Sequence, residues 1–480
     1  MRGLPKPTAQ EIISTPIVTV ELDKWDWNTG TRLRTIDITK QTRQYTFQKS
    51  IKGAGGSGSV TLTPIIEGTN GLNKIDVMDV VRIKEYGTVK FMGYVETAGY
   101  SASVGQDGKI TRNLSISIKA LGNMLSETAI GLNLGVVLKS SDLLATGIAE
   151  LEIALAKMLS PALKPTYKTM LSVIFDNFFG IITKLGVIGY QNFFNTYFEL
   201  ADGVDISNTP LAPKTFRLYN STDDQVTLWG ITSQLIETPL MEMWTDVGKR
   251  TVTVSGVPVA CADGKTYIIV RNTPYNGTTF DGRPTKAFDD LPETTVIADQ
   301  CISMNLSKSK LEAYSIFMAN TPAFNFASQF RQLLGNYEIS TSNLNKYLYK
   351  PLDLNLFFTR KENEADSTDR DTETSLESTT EKISATLKAW FEKNDQYLSG
   401  TVKIIVPKEN DVNIGTKVNF KPVDGLFYCE GITHNFTYPN TLTSDLLLTR
   451  GVSLGDKPIK LNNRLFITGL DASNAGGVLS

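Results

Sequence analysis

The sequence predicts a mainly β, multidomain α+β chain in which a helical insertion separates two antiparallel β-barrel or sandwich domains. Three observations predict it. Short runs of alternating apolar and polar residues recur along much of the chain, as half-buried strands require. One three-strand pattern occurs twice, near residues 79–120 and 416–450, which points to duplication of a β-domain. Between the copies lies a stretch whose apolar residues recur at helical spacing. At 480 residues the chain is also too long for one core.

The first β-domain, residues 1–125, opens with alternating runs at Ile17–Leu22, Thr35–Ile38, Tyr45–Phe47 and Val60–Leu62. Its copy of the pattern runs Asp79–Lys84, Phe91–Glu96 and Leu114–Ala120. The second copy runs Thr416–Phe420, Phe427–Thr433 and Leu442–Arg450. Gly93 follows Val81 by 12 positions and Gly431 follows Val418 by 13, which suggests that the two glycines correspond. Any two antiparallel meanders share such alternation, so spacing alone does not separate duplication from coincidence.

Residues 126–215 read as a helical apolar insertion. Ser141-Asp142 is a good N-cap, Leu144, Ile148, Leu151, Leu155 and Met158 fall on one face, and Pro161 and Pro165 stop the run. The following stretch holds Phe175, Phe178, Phe179, Phe193, Phe194 and Phe198, interrupted by Asp176 and Lys184. Charges inside a membrane span are costly, so a buried or subunit-contacting segment is favoured over a membrane-seeking one. Residues 216–290 form a β-rich intermediate domain. There Met241–Trp244 and Arg250–Val254 read as a hairpin turned by Asp246-Val247-Gly248, and Tyr267–Arg271 as a further strand. Residues 291–360 and 400–455 make the second β-domain, with Val296–Leu306 and Tyr314–Met318 expected to pair. Residues 361–399 are an acidic loop grading into an amphipathic helix carrying Ile383, Leu387, Trp390 and Phe391 on one face. The segment 361–381, with eight acidic residues, reads as solvated loop. Residues 456–480 are a tail, rich in Gly, Ala and Ser after Arg464.

Composition excludes several classes. Lys and Arg number 48 against 50 acidic residues, so no global basic field holds nucleic acid. The amino terminus, with Pro5 and Pro7, lacks the apolar core of an export signal. The longest uncharged stretch, Ala313–Phe330, carries Asn320, Pro322, Asn325, Ser328 and Gln329 and fails as a span of about 20 apolar residues. Cys261, Cys301 and Cys429 are widely spaced and form neither a zinc motif nor a disulfide framework.

No catalytic, cofactor or metal residues are assigned. The single histidine, His434, removes multi-histidine metal sites, and no Gly-x-Ser-x-Gly elbow accompanies it. It sits in an alternating strand, where a structural hydrogen-bonding role is expected. Gly53-Ala54-Gly55-Gly56-Ser57-Gly58 has dinucleotide-type glycine spacing, yet a strand-like run follows it instead of a helix, so it reads as a flexible loop. Asp223-Asp224 and Asp289-Asp290 could supply carboxylates for sugar hydrolysis, which needs a pair facing across a cleft. Trp25 and Trp27 could form a sugar platform, or cover a core or interface.

Four segments together resemble the baseplate hub proteins of phage tails and related contractile injection machines. These are Trp244–Gly248 with Tyr267–Tyr275, Ile302–Leu306 with Glu312–Phe317, Gly400–Ile405 with Gly415–Val418, and Phe427–Phe436 ending at Thr449-Arg450-Gly451. The resemblance implies two tube-like β-domains per chain and a homotrimer presenting six such domains to a sixfold tail tube. It implies a tail tube protein above, a central spike below, wedge and tape-measure proteins nearby, and DNA or other cargo passing through a channel without specific binding. It also implies a place in the virion tail baseplate, with assembly in the bacterial cytoplasm, and no enzyme activity. A carbohydrate- or receptor-binding adhesin is the alternative, followed by a tail-associated wall hydrolase. The insertion has no place in the hub pattern.

Overall fold

The computed structural model describes residues 17–104, 108, 110–128, 171–172, 174–176, 179, 188–200, 211–213, 227–234, 236, 239–254, 257–275, 277–278, 284–285, 287–320, 337–355, 358–360, 369–407, 411–439 and 441–453. The helix expected from Ser141, the Asp223-Asp224 pair and the tail lie outside these residues. The chain is mainly β.

Its first part contains β1 (Val18–Asp26), β2 (Thr31–Asp37), β3 (Thr42–Ser50), β4 (Ser57–Leu62), a small ribbon of β5 (Ile65–Ile66) and β6 (Thr69–Asn70), then β7 (Val80–Glu85), β8 (Thr88–Val104) and β9 (Ile110–Ala120). The middle holds β10 (Phe198–Leu200), β11 (Leu211–Pro213), β12 (Met241–Val247), β13 (Arg250–Val254), β14 (Val257–Cys261), β15 (Thr266–Asn272), β16 (Gly277–Thr278) and β17 (Pro284–Thr285). Then come β18 (Glu293–Val296), β19 (Cys301–Ser307), β20 (Ile316–Asn320), β21 (Tyr337–Ile339), β22 (Pro351–Asn355) and β23 (Phe358–Arg360). Last are β24 (Leu398–Ile405), β25 (Lys417–Phe420), β26 (Gly425–Thr437) and β27 (Thr441–Ser453).

One 13-stranded sheet runs through both β-domains in the order β19-β24-β27-β26-β3-β4-β9-β8-β7-β1-β2, with β25 on β26 and β18 on β25. Within it the duplication is explicit. In chain order, β3, β4, β7, β8 and β9 match β19, β24, β25, β26 and β27, and each set lies in space as first, second, fifth, fourth, third.

Register agrees in detail. A bulge interrupts the first pair at Thr42/Gln44 in one copy and at Cys301/Ser303 in the other. Gly58 lies opposite Phe47 and Ile118, just as Gly400 lies opposite Leu306 and Leu448. Met78 N–H donates to Val95 O and Val95 N–H to Asp79 O, while Gly415 N–H donates to Cys429 O and Cys429 N–H to Thr416 O. Met78 and Gly415 both have φ of 70°. A further bulge leaves Glu96 and Glu430 at matching places. The copies differ at one margin: β1 is antiparallel to β7, whereas β18 is parallel to β25.

The correspondence of Gly93 with Gly431 is not the structural one. Gly93 faces Val81, but Val418 faces Phe427, and Gly431 lies beyond it, opposite Ser50 of β3. The hairpins turn through residues 86–87 in one copy and 421–424 in the other, and turn length sets register.

Two expected strand pairs are replaced by others. β12 pairs along its length with β15, placing Trp244 opposite Ile269 and Glu242 opposite Arg271, while β13 pairs with β14. Asp246 and Val247 stay in the strand, and Gly248, at φ 98°, with Lys249 makes the turn. β19 pairs with β24, and β20 lies in a separate three-stranded sheet between β21 and β22. The acidic segment is helical from Asp369 to Phe391, where a solvated loop was expected as far as residue 381.

Strand β7 and β8 as far as Val95 bury both faces. Val81, Ile83, Phe91 and Val95 enter the core of the first domain, whereas Val80, Met92 and Tyr94 join a second core with the middle and second domains. Phe436, Leu442 and Val406 reach across to complete the first core. The insertion also packs inward. Phe175, Phe179, Phe193, Phe194 and Phe198 are buried within the chain, and Phe193 meets Trp25 at 5.2 Å and stacks on Trp27 at 4.9 Å.

A Cβ at Gly400, whose φ is 155°, would stand 1.9 Å from the Asn305 carbonyl oxygen. Gly400→Ala is therefore expected to destabilise the protein by more than about 1 kcal/mol. Chemical denaturation checks it, and a smaller loss would mean that β19 and β24 separate freely.

Candidate functional site

The place where the two β-domains join is the candidate site. Residues Gly431–Thr437 of β26 pair antiparallel with Ser50–Gln44 of β3. His434, buried in this seam, stacks on Phe47 with ring centroids 4.8 Å apart, and its Nδ1 lies 3.0 Å from Glu85 Oε2. Tyr45 donates its hydroxyl to Glu85 Oε1 at 2.8 Å. Thr46 donates to Asn435, which in turn donates to Asp445 at 3.0 Å. The ring of His434 fills the joint between domains by stacking, rather than through a side-chain hydrogen bond of the kind expected.

Glu85, Asp411 and His434 place ligand atoms within 4.8 Å of one another. Lys90 already supplies a cation there, 2.7 Å from Asp411. Burial opposes its charge, yet Asp411 outweighs burial and holds the ammonium above the ordinary lysine value.

A second set of buried charges locks the middle sheet onto both domains. Asp246 pairs with Lys49 of β3 at 3.0 Å and with Arg250 at 2.6 Å, and Arg250 also donates to Ile414 O at 3.1 Å. Burial alone would raise the Asp246 carboxyl, but Arg250 and Lys49 outweigh it and hold it below the ordinary value. Arg271, fully buried, donates to Glu242 at 3.1 Å, to Gly415 O at 3.0 Å and to Tyr428 at 2.7 Å, and lies over the Trp244 ring. Glu242 behaves oppositely to Asp246: burial raises it, with Arg271 pulling the other way. Arg450 stacks on Tyr275 at 3.7 Å and donates to Trp390 O at 2.6 Å, tying the helix Asp369–Phe391 to the second domain. Three of the four segments that carry the hub resemblance therefore meet around Arg271 and Tyr428.

A cavity of 470 Å³ opens beside this cluster, walled by Trp229, Met241, Met243, Tyr314 and Phe391. Of the carboxylates lining it, Glu242 is engaged with Arg271 and Glu430 with Lys52 at 2.8 Å, while Glu312 is exposed. Asp289 and Asp290 sit exposed in a turn. The glycine run is not loose: a Cβ at Gly56 would stand 1.6 Å from Gln48 O, and Ser57 and Gly58 already belong to β4. Trp25 is covered by Phe193 and Tyr197 and offers no open sugar platform.

Glu85, Lys49, Asp246, Glu242 and Arg271 were not assigned as site residues from the sequence, although Asp246 and Arg271 lie in a segment that carries the hub resemblance. A signal existed for three of them. Val81, Ile83 and Glu85 share one strand face, as do Tyr45, Phe47 and Lys49, and Ile269 and Arg271. A charge continuing an apolar face marks a buried partner.

No family model and no curated protein matches the chain. It is similar to solved structures of a tail protein from Neisseria meningitidis (12% identity, 91% of this chain and 97% of that one, TM-score 0.45). It is also similar to the 43 kDa tail protein of prophage MuSo2 from Shewanella oneidensis (10%, 92% and 97%, TM-score 0.45). A third is an E. coli component of the type VI secretion system (8%, 88% and 76%, TM-score 0.35).

Replacing Asp246 by Asn leaves two buried cations without their partner, and the expected loss is about 3–5 kcal/mol. The pH dependence has a definite sign. The folded carboxyl binds its proton more weakly than the ordinary value of 3.8, so its contribution is complete above that value and fades as pH falls through the folded one. Denaturation of both proteins from pH 7 to 3 checks this. Equal stabilities at pH 7 would refute it.

Proposed function

We propose that this chain is the structural hub of a phage tail baseplate or related injection machine. In this reading it is a ring adaptor between a sixfold tail tube and a threefold central spike, and forms part of the channel for DNA or cargo. The observation that carries the reading is the five-strand duplication, fused into one sheet. Two equivalent domains in covalent tandem let three chains present six similar domains, and a closed heterologous ring is the assembly such a tandem favours. The formal net charge of −2 suits a conduit, because a strongly basic lumen would retain DNA by counterion release.

The proposed division keeps residues 1–125 as the first tube-like domain and draws the second from 291–360 and 400–455, with 126–215 and 216–290 between them. Assembly would take place in the bacterial cytoplasm, with tube, spike, wedge and tape-measure proteins as neighbours in the virion tail baseplate. The inward packing of Phe193 onto Trp25 and Trp27 gives the insertion a role in bracing the first domain.

Native mass spectrometry at micromolar concentration is expected to give a trimer, and negative-stain images a ring with six similar lobes. A chain that stays monomeric throughout that range overturns the reading.

A further inference from the structure

The duplication has one unfilled place. In the second domain, one edge of β26 is used twice: Gly425–Tyr428 pairs with β25, and Gly431–Thr437 pairs with β3 of the first domain. In the first domain, the same edge of β8 is used once. Thr88–Tyr94 pairs with β7, and from Thr97 onward that edge has no strand beside it among the described residues, although the other edge remains on β9. Likewise β3 is paired on both edges, by β4 and β26, whereas among the described residues its counterpart β19 is paired only by β24 and ends the sheet.

We propose that these two open edges are the two halves of one joint: β8 of one copy pairs antiparallel with β19 of the next, repeating between chains the seam that β26 and β3 make within a chain. The inference rests on the ring reading and names its contact. Register follows from the matched positions. Tyr100 takes the place of His434, and Leu306 takes the place of Phe47, which His434 faces. The pairs are then Gly99 with Ser307, Tyr100 with Leu306, Ser101 with Asn305, Ala102 with Met304, and Ser103 with Ser303.

Surface character agrees. Tyr100, at the centre of the proposed pairing, is 43% exposed and would be partly covered. An unpaired edge of this length is a template for a further strand. The side chains are smaller than at the intrachain seam, with Ala102 where Phe436 stands and Ser101 where Asn435 stands.

The test is disulfide trapping with Ser101→Cys and Asn305→Cys in one chain. Residues directly opposite have Cα atoms about 4.5–5.5 Å apart, inside the range of about 4.4–6.8 Å that a disulfide spans. Ser103→Cys with Asn305→Cys is the control, displaced by about 6.8 Å along the strand. The three native cysteines are buried. Oxidation is expected to link copies covalently in the first variant, with at least tenfold less linkage in the control. A trimer by native mass that shows no linkage, or equal linkage in both variants, overturns the strand pairing and leaves the ring reading intact. A monomer at all concentrations overturns both. In the unmodified chain, amides of Thr97–Ser103 and Ser303–Ser307 that lie on the open edges are expected to exchange at least tenfold more slowly in the trimer than in dilute monomer; unchanged exchange in a trimer counts against the joint.

Discussion

Seven residue pairs between β26 and β3 make two domains into one sheet, and the rest of the architecture is arranged around that joint. Backbone pairing fixes the direction and spacing of the two domains more tightly than side-chain packing alone, because a slip of one residue would turn every side chain to the other face. At this joint a slip would pull Phe436 away from Tyr45, on which it stacks at 5.2 Å. It would also carry His434 away from Phe47 and Glu85. The apolar and polar contacts therefore specify a single register.

The buried charges act at the same joint from outside it. Lys49 belongs to β3, Asp246 to the middle sheet, and Arg250 reaches the loop before β25. Three segments far apart in the chain are held by charges that have little water to fall back on, so losing any partner is costly while the complete set is tolerated. The Arg271 cluster uses the same principle at the second domain, and its aromatic lid of Trp244 excludes water further.

Strand positions were legible in the sequence because alternation is local, and residues 79–120 and 416–450 suggested a duplicated meander that spacing alone could not separate from coincidence. What alternation does not carry is which edge meets which. β12 meeting β15, β19 meeting β24, and β26 meeting β3 are all set by burial and charge between distant segments. A fuller repeat was nonetheless readable: Ser57-Gly58-Ser59-Val60 and Ser399-Gly400-Thr401-Val402 occupy equivalent strands, with a glycine in each where a neighbouring carbonyl comes too close for a side chain. The insertion was legible as apolar and aromatic, but its direction of packing depended on Trp25 and Trp27, more than 160 residues earlier in the chain.

The seam also bears on how the polypeptide is made. Thr46 bonds to Asn435 across 389 positions, and Phe436 and Leu442 are parts of the first domain's core. During synthesis the amino-terminal domain emerges first yet lacks Val406, Phe436 and Leu442 of its core until those residues leave the ribosome. Domains generally fold in order of emergence, but here completion of the first must wait for the second, so a prematurely terminated chain carries an open core and an unpaired β3. Full-length translation is thereby coupled to burial of the edge that would otherwise aggregate.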